Sequence, residues 1–227
     1  MNNIKKKKNP AWPIILWTLI FSVGYAILRY HVAGTTPWKD FPFFIFNKAI
    51  SMSAFILLTF NFAFGPLKNL GVNVSNGLLR SRRIVGIVGF IQVFVHVIMS
   101  FMIFNPQVFS RFFLENGTMN LITGISMVTG VFAFIFLWMY NVSFNSQFRK
   151  DKDLLRWINS RKVLLTAMFL AGAHLFFMGY EGWMKPAKWY WGLPPISLVS
   201  FTFFLVGYIV NIFGREDPDR WSDTEEA

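Results

Sequence analysis

Six apolar stretches, each about 20 residues long and separated by short clusters of charge, decide what this chain can fold into. A helix of that length rises 1.5 Å per residue and crosses a hydrocarbon core of roughly 30 Å. The stretches predict spans over residues 12–30, 48–67, 84–104, 121–140, 163–180 and 193–213. The expected fold is therefore all-α, a polytopic membrane protein built as a six-transmembrane-helix bundle. Only 15% of the residues are charged, against about 25% in a soluble domain. Six spans with short loops use nearly all of the sequence, which excludes a nucleotide- or flavin-binding domain of about 100 residues within it.

Lysine and arginine set the expected orientation. The N-terminal segment carries Lys5, Lys6, Lys7 and Lys8, and the second-to-third connection carries Lys68, Arg80, Arg82 and Arg83. The fourth-to-fifth connection carries Arg149, Lys150, Lys152, Arg156, Arg161 and Lys162, and the tail adds Arg215 and Arg220. The opposite side holds only Arg29, Lys39, Lys48, Arg111, Lys185 and Lys188. Both termini are thus expected in the cytoplasm, with residues 1–11 a basic leader to the membrane domain 12–213. Residues 214–227 form a polar acidic tail. The first apolar run exceeds the 7–15 residues of a signal-peptide core, so it reads as an uncleaved helix. Trp183, Trp189, Tyr190 and Trp191 cluster where an outer interfacial belt belongs. This arrangement accounts for the net charge of +11 without nucleic acid. The expected location is a membrane crossed several times, in contact with lipid. With no cysteine in the chain, disulfides, thiolate ligands, a cysteine nucleophile and covalent haem attachment are excluded.

Two ionisable residues lie deep in the spans, His96 in the third and His174 in the fifth. Such residues are costly in lipid and mark functional sites. His96 follows Arg83 by thirteen residues and His174 follows Arg161 by thirteen, on helices running the same way. Both imidazoles are therefore expected roughly 20 Å from the cytoplasmic boundary, at one level. Two imidazoles at one level on two helices suit bis-histidine ligation of a haem in a bundle core. Gly86, Gly89, Val93 and Ser100 share the His96 face, and Ala167, Ala171 and Met178 share the His174 face. The small residues are read as room for a flat macrocycle. The competing reading is that small residues let helices pack closely, which is the reading for Gly124 and Gly130. For the histidines, the competitor is bonding to backbone carbonyls or to each other. The third histidine, His31, lies beyond the first span and suits a surface role.

A proton relay would need further ionisable groups in the spans, and a four-ligand metal site would need carboxylates or thiolates near the pair; neither is supplied. Hydrolase, P-loop and zinc-protease motifs are absent.

The stretch 47–70, ending Phe64-Gly65-Pro66-Leu67, is followed by Arg82-Arg83-Ile84-Val85-Gly86 and then His96, with Ala173-His174-Leu175 on the fifth helix. In order and spacing, residues 45–180 resemble the ferric-reductase-like transmembrane domain family. The closest resemblance is to the haem-binding membrane subunits of bacterial periplasmic methionine-sulfoxide reductase systems. The resemblance implies that His96 and His174 are the axial ligands of one haem b. It also implies a non-catalytic electron-transfer subunit of an oxidoreductase system. Relatives often carry another histidine thirteen residues before the fifth-helix ligand, where this chain has Arg161. The third helix lacks a histidine at the matching depth. A second, inner haem is therefore not expected.

Electrons would come from a quinol, a bound flavin or a partner protein, although no motif supports a quinone or flavin site. Membership of a larger membrane complex is compatible with this reading. Arg29 is placed where a haem propionate would emerge, and an interfacial arginine snorkelling to the headgroups competes with that role. Arg80, Arg82 and Arg83 suit an anionic partner or a flavin phosphate, though anchoring at the cytoplasmic boundary also accounts for them. The alternatives to a cytochrome are a haem-free structural or assembly subunit and a small-molecule transporter. Transport would call for broken mid-span helices, which the sequence does not show.

Overall fold

A computed structural model describes residues 10–143 and 151–215. Lys5, Lys6, Lys7, Lys8, Arg149, Lys150 and the tail 216–227 with Arg220 lie outside the described residues. The chain folds into α1 (Ala11–Ile27), α2 (Phe46–Asn69), α3 (Asn76–Ile103), α4 (Leu121–Val142), α5 (Lys152–Asn159), α6 (Arg161–Trp183) and α7 (Ile196–Gly214). Among the described residues, six helices are long and apolar enough to cross a membrane, as expected. By that length and apolarity the chain is an all-α, multi-pass membrane protein.

Local chemistry fixes the helix starts. Ser75, Asn120, Asp151 and Ser160 each accept the backbone N–H three residues on, at 3.3, 2.9, 3.0 and 3.4 Å. Pro10 and Pro195 occupy the N-cap positions of α1 and α7. The cap at Ser75 explains why α3 begins at Asn76 rather than at 84: its first turns are polar and basic, so hydropathy misses them, but they are helical. The short α5 was not expected either, because eight amphipathic residues fall below the length of a span.

The spans do not contribute equally to the interior. Within the apolar window of α2, 61% of residues are buried, against 22–33% for the other five spans. Accordingly α2 is the central helix. It packs on α1, α3 and α7; α6 packs on α7 and α4; α3 and α4 touch only slightly. The remaining faces carry exposed apolar side chains, such as Trp17 at 68% and Phe213 at 74%, suited to a lipid environment. Between the rows, Leu58, Phe62, Leu137, Leu164, Met168 and Phe204 form an apolar cluster, with Phe90 and Val93 packed against it. This cluster fills the half of the bundle nearer the end where α1 begins and α7 finishes.

Candidate functional site: histidines of the third and sixth helices

His96 is set by α2. Asn47 Nδ2 donates to Ser100 Oγ at 3.0 Å, which leaves its Oδ1 as an acceptor. The His96 Nδ1 lies 2.7 Å from that Oδ1 and 3.5 Å from Ser100 Oγ. An amide oxygen cannot donate, so the His96 proton resides on Nδ1. Asn47 is itself buried, so the pair is held inside the protein.

The same logic holds at His174, with a different partner. Its Nδ1 lies 2.8 Å from the Ser126 carbonyl oxygen, an obligatory acceptor. Ser126 Oγ donates to the His174 carbonyl at 2.9 Å and accepts from Nδ1 at 3.2 Å. His174 is thus also the Nδ1-protonated tautomer. In both rings the recorded hydrogen bonds run through Nδ1. Both Nε2 lone pairs remain available to a metal. An imidazole whose other nitrogen donates to an oxygen is the arrangement by which proteins orient a metal ligand and raise its basicity. The two rings come from α3 and α6, which pack only slightly on one another, and they lie within electrostatic range.

The glycines take different places from those expected. A Cβ on Gly86 would lie 2.9 Å from the Asn61 side chain, and one on Gly89 would lie 3.2 Å from Leu57 and Leu58. Both therefore serve the close approach of α3 to α2, and the expected room for a macrocycle is not at these two residues. Val93 likewise packs into the apolar cluster. Gly130, read from sequence as simple packing, abuts the site: a Cβ there would lie 2.6 Å from His174 Nδ1. Its missing side chain is what lets the imidazole reach the Ser126 carbonyl. Gly124 meets nothing within 4 Å.

Arg29 is not a snorkelling arginine. It is 5% exposed, donates from Nη1 to the Leu193 carbonyl, and sits 5.4 and 5.5 Å from the Tyr30 and Tyr190 ring centres. It ties the end of α1 to the entry of α7, alongside a hydrogen bond from Tyr25 Oη to the Pro194 carbonyl at 2.6 Å. Its Nε is buried without a partner. His31 stacks on Trp38 at 4.2 Å and bonds the Thr36 carbonyl through Nδ1, so it organises the first loop. Trp183 is buried and donates to Ser197 Oγ at 2.9 Å, which removes it from the expected belt. Trp191 remains exposed there.

The residues that sequence reasoning missed are Asn47, Ser126 and Gly130. The available signal was a polar residue inside an apolar span, which α2 and α4 both show. No three metal-ligating side chains gather among the described residues. Two imidazoles are nevertheless sufficient for a haem, because the macrocycle supplies its own four nitrogens. The donor set therefore fits that group. A groove of about 410 Å³ lies elsewhere, between α1, α2 and α7, lined by Pro13, Trp17, Ile56, Phe60 and Phe203 among others; neither histidine lines it. A scan against protein-family models finds no match for this chain, and a comparison with curated proteins finds none either.

Proposed function

We propose that the chain is a membrane b-type cytochrome that serves as an electron-transfer subunit, with His96 and His174 holding one haem. The observation that carries this reading is that both rings hydrogen-bond through Nδ1. Each imidazole is pinned through Nδ1–H to an oxygen on a neighbouring helix, and each keeps Nε2 free of hydrogen bonds. When bound, the group would supply one-electron redox chemistry with both axial positions filled, which suits a carrier rather than an oxygen-binding centre.

The chain's own residues define the rest. Asn47 and the Ser126 carbonyl orient the rings and make them better donors. Gly130 admits His174 to its partner. The apolar cluster around Leu58, Leu164 and Phe204 keeps water out of the adjoining half of the bundle. That half supplies no imidazole, so electrons to or from the cytoplasmic side would pass through a quinol or a partner protein. The basic connections support a cytoplasmic location for both termini in a bacterial inner membrane.

The reduced-minus-oxidised visible spectrum of protein purified from haem-replete cells tests the proposal. A sharp α-band and a low-spin Soret peak, both lost in His96→Ala and in His174→Ala, are expected. A folded, colourless protein would instead favour a haem-free structural subunit whose histidines serve only as helix-to-helix hydrogen bonds.

A further inference from the structure

The end of the bundle where α7 finishes holds three arginines turned toward protein rather than away from it. Arg82 Nε donates to the Asn61 carbonyl at 2.9 Å, and its guanidinium lies against Gly65, where a Cβ would sit 2.9 Å from Nη1. Arg215 donates from Nε to Asn211 Oδ1 at 2.9 Å and from Nη2 to the Phe62 carbonyl at 3.5 Å. That carbonyl is free because Pro66, four residues on within α2, has no N–H to give it. Arg161 donates from Nη2 to the Ile212 carbonyl at 2.5 Å. The ends of α2 and α7 meet here, with Asn69 Nδ2 donating to the Gly214 carbonyl at 3.0 Å.

Every hydrogen bond recorded for the three guanidinium groups goes to a carbonyl or amide oxygen, and none to a carboxylate among the described residues. Three guanidinium groups offer about fifteen N–H donors, and these four bonds leave about eleven. The C-termini of α2 and α7 contribute roughly −0.5 charge each and the N-terminus of α6, where Arg161 stands, about +0.5, so the cluster retains roughly 2.5 positive charges. All three side chains are half-buried. Burial and the neighbouring Arg82 push Arg215 down to about 10, with Tyr140 acting the other way, so it remains a cation at neutral pH. Cations withdrawn from water, with no carboxylate partner among the described residues, are costly, and an anion would complete them.

We propose that Arg82, Arg161 and Arg215 form a binding site for a phosphoryl group. Arginine forks suit phosphate oxygens in number and geometry, and basic clefts between spanning helices suit anionic lipid headgroups. The phosphoryl group belongs to an anionic phospholipid or to a small soluble phosphate compound, and one experiment separates these sources.

Purified full-length protein is placed in phosphatidylcholine bicelles, in bicelles containing phosphatidylglycerol, and in phosphatidylcholine bicelles with added pyrophosphate. The proposal expects Tm to rise by about 5 °C or more with phosphatidylglycerol if the source is a lipid, or with pyrophosphate if it is soluble. The rise should vanish in the double variant Arg82→Gln/Arg215→Gln and persist in Arg80→Gln, which removes an exposed charge from the same helix. If the double variant does not fold, Arg161→Lys, which keeps the charge and loses the fork, should cut the rise by at least about half. No rise with either addition would overturn the proposal, as would an equal loss in Arg80→Gln or an undiminished rise in the arginine variants.

Discussion

Gly130→Ala and Gly124→Ala make the same chemical change on the same helix six residues apart, and the structure gives them opposite signs. At Gly124 a Cβ meets nothing within 4 Å. The gain is helix propensity alone, about 0.5–1 kcal/mol of added stability. At Gly130 the Cβ would lie 2.6 Å from Nδ1, 3.0 Å from Cε1 and 3.2 Å from Cγ of His174. The imidazole must then swing away. It loses the 2.8 Å bond to the Ser126 carbonyl, leaving a buried N–H that costs about 1–3 kcal/mol. Crowding in a packed interior adds about 1–3 kcal/mol. Against the propensity gain, a net loss of about 1–5.5 kcal/mol remains, or roughly 2–22 °C in Tm for a chain of this size. Thermal unfolding in one detergent reads both variants side by side. Under the haem reading, Gly130→Ala also loses haem on dialysis against apomyoglobin at least about tenfold faster than wild type, because a misdirected ligand binds less well. A Gly130→Ala protein as stable as Gly124→Ala, with unaltered haem retention, would refute the argument that this glycine positions His174.

Three further outcomes follow from the same geometry. Asn47→Leu strips His96 Nδ1–H of its acceptor, so stability should fall by about 1–3 kcal/mol. The midpoint potential should also rise, since the imidazole becomes a weaker donor; redox titration reads the direction, and a fall would count against the assigned tautomer. Arg29→Met should lower Tm, because the guanidinium is held by the Leu193 carbonyl and two tyrosine rings. The same variant should leave the haem spectrum unchanged, and a spectral change would restore a propionate role. Ser75→Ala removes the cap on Leu78 N–H and should cost about 1 kcal/mol, with amide exchange quickening first in the polar start of α3.

The spans were legible because a hydrocarbon layer leaves a long, unbroken signature in the sequence, and five of the six were placed within a few residues at each end. The start of α3 escaped, since Asn76-Gly77 through Arg83 is helical by its cap rather than by its hydropathy. The histidines were legible for the reason the spans were: an ionisable group stands out in an apolar run. Their partners were not. Whether Gly86 or Gly130 borders an imidazole depends on which helix each face meets, and periodicity along one helix does not report its neighbour. Gly86 and Gly89 turned out to serve the α2–α3 contact, and Gly130 came from a helix with no histidine at all. Arg29 was misplaced for a related reason. Its position at a span end suggested lipid headgroups, whereas the loop before α7 folds over it and supplies a carbonyl and a ring.

Haem content per chain is the measurement that bears most directly on the account. The sequence offers two imidazoles deep in the predicted spans, expected at one depth, and thirteen residues before each stand Arg83 and Arg161. Protein purified from haem-replete cells and assayed as the pyridine haemochrome should carry one non-covalent haem b per chain, and none in His96→Ala or His174→Ala that still fold. A wild-type value near zero, a value near two, or full occupancy in either histidine variant would contradict it.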